Sequence, residues 1–143
     1  MPTRYDDVWE LTPFETVGPL QLGMRRAEVT EALGEEPSPR ATTPVLAETF
    51  GTAGVHVEYD AEGRLLSVES FSRPVAYRGV TLSSRRPVEA VVTDLRGVGV
   101  VVNEDDPAGP DAWDIGLLLT VEAGGEVSGA MAVRRDYREV TGS

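Results

Sequence analysis

The sequence contains neither cysteine nor lysine, and its only histidine is His56. Without cysteine there is no disulfide, thiolate zinc site, iron–sulfur cluster or cysteine nucleophile. Without lysine there is no Schiff base to a carbonyl cofactor and no P-loop lysine. These absences exclude many enzyme classes, and we expect no cofactor and no metal.

Positive charge is also scarce, because 24 acidic residues face 13 arginines and the net charge is −11. Such a protein repels phosphate backbones and anionic membrane surfaces, so we expect neither nucleic acid nor a membrane as partner. Residues 1–72 carry a net charge of −8 and residues 73–143 a net charge of −3. A net negative charge raises the rate of association with a basic protein, and it also increases solubility.

Targeting signals are missing as well. No segment approaches the roughly 20 apolar residues of a membrane helix. The first ten residues include Asp6 and Asp7 where a signal peptide needs a basic patch and then an apolar run. The sequence therefore predicts a cytoplasmic protein.

A weak internal duplication organises the chain. Residues 18–34 and 79–97 each read as an extended lead-in followed by a helix. Leu22 matches Leu82 at an offset of 60, whereas Leu33 matches Leu95 at 62, which predicts a second helix about two residues longer. Residues 55–65 and 117–127 each read as a β-hairpin with a four-residue turn, at the same offset as Leu33 and Leu95.

Apolar spacing defines both helices. The stripe of the second helix is Val88, Val91, Val92 and Leu95, and that of the first is Val29, Ala32 and Leu33. Ser84 is the predicted N-cap of the second helix, and Gly97 and Gly34 follow the two helix ends. Further strands are predicted at residues 44–50, 66–72, 98–103 and 127–133, with loops at 35–43 and 104–112.

Together these elements predict an α+β fold, a pseudo-symmetric tandem repeat in which a helix packs on an antiparallel sheet to give two layers. Residues 1–72 form the first repeat with an N-terminal extension, and residues 73–143 form the second. A module of about 70 residues has a marginal core, so we expect the two repeats to pack as one globular unit.

The motif Leu20-x-Leu22-Gly23-Met24-x4-Val29-x3-Leu33-Gly34-x2-Pro37 resembles one found in two groups of small α+β modules. These are the outer-membrane assembly lipoproteins of the BamE type and the β-lactamase inhibitor proteins. The resemblance implies a protein-binding module, since tandem sheets in the second group form a concave surface that clamps a protein. The second repeat lacks the Gly-Met pair, and the sequence lacks the cysteines of the exported relatives.

His56 and Glu58 are candidate site residues on the first hairpin. They alternate with Val55, Val57 and Tyr59, so they point away from the core toward solvent or a binding surface. His56 is the only imidazole available as a general base, but no Gly-x-Ser-x-Gly nucleophile motif accompanies it. An ordinary strand histidine is the favoured interpretation.

The densest acidic cluster is a second candidate site. It consists of Glu104, Asp105, Asp106 and Asp111, with Trp113 as an adjacent aromatic anchor. The cluster lacks EF-hand spacing, and its prolines and glycine are typical of a solvated loop. A contact surface for a basic partner is a hypothesis beside the simpler interpretation of a solubilising loop.

Three functions remain open from the sequence. The leading hypothesis is a non-enzymatic protein-binding module, an immunity-type inhibitor of a toxin or enzyme, acting as a monomer or weak dimer. The alternative is a small-molecule-binding or hydrolytic domain with a pocket between the two sheets. The third is a scaffold subunit that self-associates through an edge strand.

Overall fold

A computed structural model describes residues 7–42 and 45–142, which form twelve strands and three α-helices. The strands are Trp9–Thr12 (β1), Thr16–Val17 (β2), Leu20–Gln21 (β3), Ser38–Ala41 (β4), Leu46–Phe50 (β5), Val55–Tyr59 (β6), Leu65–Ser70 (β7), Val75–Tyr77 (β8), Val80–Thr81 (β9), Asp111–Ala112 (β10), Leu117–Val121 (β11) and Val127–Val133 (β12). The helices are Arg26–Leu33 (α1), Val88–Gly97 (α2) and Tyr137–Thr141 (α3), and Trp113–Ile115 forms a short 3₁₀ helix.

The strands make two sheets. The five-stranded sheet has the order β3-β2-β1-β8-β9, and the seven-stranded sheet has the order β10-β11-β12-β7-β6-β5-β4. All pairings are antiparallel except that of β1 with β8. The α+β class predicted from the sequence is confirmed.

Both predicted apolar stripes face the core, where all their residues are buried except Ala32 and Val88, which are partly buried. Val29 and Leu33 of α1, and Val91, Val92 and Leu95 of α2, join one hydrophobic cluster with the inward side chains of both sheets. That cluster draws on residues from both halves of the chain, so the halves share a core. Burial of a continuous apolar stripe is the main reason that helices this short are stable.

The helix ends follow local chemistry. The Arg25 N–H donates to Glu28 Oε1 at 2.9 Å, which satisfies one free donor at the start of α1. Gly34 closes α1 in the left-handed region with a φ of 66°. The predicted Ser84 cap is wrong, because Pro87 is the N-cap of α2 and makes no side-chain hydrogen bond to the helix.

Two strand predictions are also wrong. Residues 98–102 form no strand, since Gly99 has a φ of 88° and Val101 is 70% exposed. Conversely, Ser38–Ala41, predicted as loop, pairs with β5 at the sheet edge, where Pro39 is tolerated. The strand predicted at 44–50 is found from Leu46, and Pro44 and Thr43 lie outside the described residues.

Equivalent backbone hydrogen bonds recur along the chain. The bond from the Leu22 N–H to the Glu15 carbonyl recurs as the bond from the Leu82 N–H to the Val75 carbonyl. The other recurring bonds are related by the longer offset of 62 residues, the one that separates Leu33 from Leu95. The bonds Leu65→Met24, Arg26→Gly63, Asp60→Arg64 and Gly63→Asp60 recur there as Val127→Arg86, Val88→Gly125, Glu122→Glu126 and Gly125→Glu122.

This recurrence corrects the predicted position of the insertion. The first residues of the two helices, Arg26 and Val88, are already related by the longer offset, so two extra residues precede α2. They lie in the stretch after Leu82, where Ser84 and Arg85 both have positive φ. α2 is also longer than α1 at its end, with 10 residues against 8.

Arg73 fastens the N-terminal strand to the rest of the protein. Its guanidinium is buried, and it donates to the Ala53 carbonyl at 2.9 Å and to the Asp7 carbonyl at 2.8 Å. The same group lies 5.1 Å from the centre of the Trp9 ring. A buried guanidinium is costly unless it is hydrogen-bonded, so these contacts fix the junction between the two halves.

Candidate functional site

One face of the seven-stranded sheet carries the polar residues singled out from the sequence. β5, β6, β7 and β12 align Thr49, His56, Glu69 and Met131 in one row across this face. Glu58 lies in the next row, paired with Ser67. Because side chains alternate along a strand, the residues between these positions point into the core. We call the outward residues Thr49, His56, Glu58, Glu69, Phe71 and Met131 the open face.

His56 is held by two neighbours on the open face. Its Nδ1 shares a hydrogen bond of 2.8 Å with the Thr49 hydroxyl, and its ring stacks on Phe71 with 4.5 Å between ring centres. Burial and the nearby Arg40 charge lower the pKa of His56 below 6.5, and Glu69 opposes them. The imidazole is therefore neutral at pH 7, and its Nδ1 is already occupied.

Glu58 is anchored from two sides. Its Oε1 accepts hydrogen bonds from the Ser67 hydroxyl at 2.6 Å and from the Tyr137 hydroxyl at 3.0 Å. Burial and the Glu58 carboxylate both raise the pKa of Tyr137, so this phenol remains a donor. Tyr137 belongs to α3, which thereby docks onto the first hairpin.

Glu69 connects the two hairpins across the centre of the sheet. Its Oε2 accepts a hydrogen bond from the Thr120 hydroxyl at 3.1 Å, and its Oε1 lies 3.7 Å from the Arg40 guanidinium. A groove of about 300 Å³ runs beside it, lined by His56, Glu58, Ser67, Glu69 and Met131 together with Arg40, Ala41, Val45 and Ala47. This size is at the lower limit of small-ligand sites, which span roughly 300–1,000 Å³.

The acidic candidates lie elsewhere. Asp111 is on β10, four strands from β6, which is about 19 Å at the usual strand spacing. Asp111 is buried beside Asn103, and Glu104 forms an ion pair with Arg96 at 3.1 Å. The structure thus brings His56 and Glu58 together and separates them from the acidic residues.

The remaining loop acids shape their own turn. Asp106 Oδ1 accepts a hydrogen bond from the Ala108 N–H at 2.8 Å, and the Asp105 N–H donates to Asn103. No group of three or more potential metal ligands is found in residues 7–42 and 45–142. The Asp106 carboxylate and the Asp105 backbone thus both stabilise the turn of this loop.

One face of the Trp113 ring is covered by the Arg138 guanidinium. The Arg138 guanidinium lies 3.5 Å from the centre of this ring, so one face of the predicted aromatic anchor is occupied by α3. Glu69, Phe71 and Arg40 were missed as site residues. Glu69 and Phe71 follow Ser67 at alternate positions along and just beyond β7, so the same alternation that identified His56 and Glu58 would have found them.

Comparisons with known proteins identify no family for this chain. No protein-family model matches the chain, and no curated protein and no solved structure matches it. The fold and site define an α+β protein with antiparallel-rich sheets and a half-exposed polar sheet face. No helix in the described part of the chain is both long and apolar enough to cross a membrane.

Proposed function

We propose that this protein is a non-enzymatic protein-binding module and that its partner docks on the open face. The observation that carries the proposal is the aromatic stack of His56 and Phe71, where β7 ends on this face. Phe71 is 40% exposed, yet it is held in place by His56. A preorganised aromatic ring surrounded by polar groups has the composition of an interface anchor.

The charge of the chain supports a basic partner. A net charge of −11 raises the encounter rate with a cationic protein, and the excess is largest in residues 1–72, which carry most of the open face. Nucleases need basic surfaces to hold phosphate backbones, so an acidic inhibitor complements them. An immunity-type inhibitor of a toxin or enzyme is therefore the concrete form of this proposal.

A tandem architecture, with one helix over each half of a two-layer unit, is part of the same proposal. The recurrence of hydrogen bonds in the two halves of the chain supports it. Strand order supports it too, because β12 and β7 are adjacent at the centre of the sheet and their partners follow in mirrored order. Glu69 pairs with Met131, its own counterpart at the longer offset, so a pseudo-twofold axis passes through this pair.

The experiment is an affinity capture from the native cells at low and moderate salt, read by mass spectrometry. Wild type is compared with the open-face variant Phe71→Ser/Glu69→Gln and with the loop variant Asp105→Asn/Asp106→Asn. A stoichiometric partner that wild type and the loop variant retain, but that the open-face variant loses, supports the proposal. A partner lost only from the loop variant, or no partner at either salt, contradicts it.

The second candidate function is a small-molecule-binding or hydrolytic domain. The groove of about 300 Å³ and the hydrogen bond between Thr49 and His56 favour it, although the groove lies on one face of the seven-stranded sheet and not between the two sheets as predicted. A thermal-shift screen of small ligands tests this candidate. A ligand that stabilises wild type but not His56→Gln would establish the groove as a small-molecule site.

A further inference from the structure

A second pocket lies beside α3 and has the opposite charge to the rest of the protein. It has a volume of about 220 Å³ and is lined by Phe14, Trp113, Val133, Arg134, Arg135 and Arg138. Three of the 13 arginines of a chain with a net charge of −11 thus surround one small cavity. We call it the arginine–aromatic pocket.

Two of its guanidinium groups lie over aromatic rings. Arg135 is 4.0 Å from the centre of the Phe14 ring, and Arg138 is 3.5 Å from the centre of the Trp113 ring. Stacking uses the face of a guanidinium and leaves its N–H edge free to donate. Two such edges beside one cavity are suited to a planar or tetrahedral oxyanion.

Arg135 and Arg138 differ from Arg134 in their ion pairs. Within residues 7–42 and 45–142, no carboxylate forms an ion pair with Arg135 or Arg138. Arg134 differs, because it is paired with Asp60 at 2.9 Å and with Asp136 at 2.6 Å. Arg134 therefore has a structural role, and Arg135 and Arg138 supply the positive charge of the pocket.

The backbone conformation at Phe14 and Gly116 positions the Phe14 ring at the pocket. Phe14 has a φ of 64°, a conformation that costs free energy for a bulky residue. Gly116 also has a positive φ of 63°, and a Cβ there would lie 2.8 Å from Phe14 Cε1. The Phe14 ring thus packs against the Gly116 backbone, where any residue with a Cβ would collide with the ring.

We propose that the arginine–aromatic pocket binds the carboxylate or phosphate group of a small ligand. Its volume is below the roughly 300–1,000 Å³ of drug-sized sites, which suits one anionic group with a small body. Arg135 and Arg138 bind the oxyanion through their exposed N–H edges, while Phe14 and Trp113 hold both guanidiniums in place. The site is distinct from the open face and stands independently of the function proposed there.

Titration of the full chain with inorganic phosphate and with succinate, at constant ionic strength maintained with chloride, tests this proposal. Trp113 fluorescence and the Nε–H signals of arginine in two-dimensional NMR report binding, while the buried Trp9 gives a constant background. We expect a saturable response to at least one anion. A response to phosphate alone identifies the ligand as phosphate-bearing, and a response to succinate alone identifies it as a carboxylate. A response to both anions identifies a general oxyanion site.

Variants locate the binding site. Arg135→Gln/Arg138→Gln is expected to weaken binding at least about tenfold, because both charge-assisted contacts are lost. Arg138→Lys keeps the charge but loses the planar fork, so its affinity falls between wild type and the double variant. Both arginines are exposed, and circular dichroism checks that the variants remain folded.

Arg78→Gln is the matched control, since Arg78 also lies over an aromatic ring, 5.2 Å from the centre of Tyr77. It should leave affinity within about twofold, because a site elsewhere contributes no hydrogen bond to the bound anion. The proposal is overturned if neither anion gives a saturable response. It is also overturned if the double variant binds as wild type does, or if Arg78→Gln loses as much affinity.

Discussion

The hairpins β6–β7 and β11–β12 have the same backbone pattern but different outward surfaces. Inward positions are apolar in both, as Val55 and Val57 correspond to Leu117 and Leu119. Outward positions differ: His56, Glu58 and Glu69 in the first hairpin correspond to Leu118, Thr120 and Met131 in the second. The core thus fixes the backbone, while the outward side chains are free to differ. For this reason the charged and imidazole side chains of the open face, His56, Glu58 and Glu69, all lie on the first hairpin.

The two helices differ in the same way. Arg26 at the start of α1 forms an ion pair of 2.6 Å with Glu48, whose side chain is 2% exposed. The corresponding residue of α2 is Val88, which packs against the core. Burial and the Glu48 charge also raise the pKa of Tyr59, so an ion pair with a buried carboxylate at the start of the helix distinguishes α1 from α2.

The largest expected effect comes from the shared core. Leu33→Ala and Leu95→Ala each remove a buried side chain at corresponding positions, and each should cost about 2–5 kcal/mol of unfolding free energy. Urea unfolding, followed by the fluorescence of both tryptophans and by circular dichroism, is expected to give coincident transitions in both variants. Separate transitions would mean that the two halves unfold independently.

The ion pair of the first helix should have the next largest effect. Arg26→Val introduces the residue type of α2 and leaves Glu48 buried without its partner. Since Arg26 is half-exposed, we expect a loss of about 1–3 kcal/mol, below the usual cost of breaking a fully buried pair. Adding Glu48→Leu should restore most of this stability in a double-mutant cycle, and a purely additive loss would contradict the coupling.

Acid sensitivity should separate the two hairpin turns. Burial raises the pKa of Asp60, but hydrogen bonds from the Arg64 N–H and from Arg134 outweigh it, and the pKa lies below 3.8. A lowered carboxyl pKa stabilises the fold above the unfolded-state pKa of about 4, and this stability is lost as pH falls through the folded-state value.

Asp60→Asn should therefore cost about 1 kcal/mol at pH 7, with the difference from wild type vanishing toward about pH 2. The matched control is Glu122→Gln in the second turn, where the ion pair with Arg85 is exposed. We expect less than about 0.5 kcal/mol there. Unfolding measured across pH compares the two, and equal losses would contradict the distinction.

Only a small effect on stability is expected on the open face. His56→Leu/Glu69→Met introduces the residues of the second hairpin into the first, and should change stability by less than about 1 kcal/mol. Partner binding should nevertheless be lost. Leu118→Ala is the control on the second hairpin and should bind as wild type does. Calorimetry with the captured partner measures both variants.

Local patterns were sufficient for the periodic elements. The stripe of α2 and the alternation of β6 were readable because burial of one face imposes a period on the sequence. The strand predicted at 98–103 failed because an apolar run without alternation carries no period, and Gly99 turns the chain instead. Ser84 failed as a cap because α2 begins only at Val88, with Pro87 as its N-cap.

The sequence by itself determined the α+β class, the two hairpins and the outward direction of His56 and Glu58, since each follows from spacing along the chain. Only the tertiary structure decided that Glu69 and Phe71 join them and that the acidic loop does not. It also placed Phe14 and Trp113 beside the arginines after β12. Such groupings depend on strand order and register, which are set by packing between residues distant in sequence.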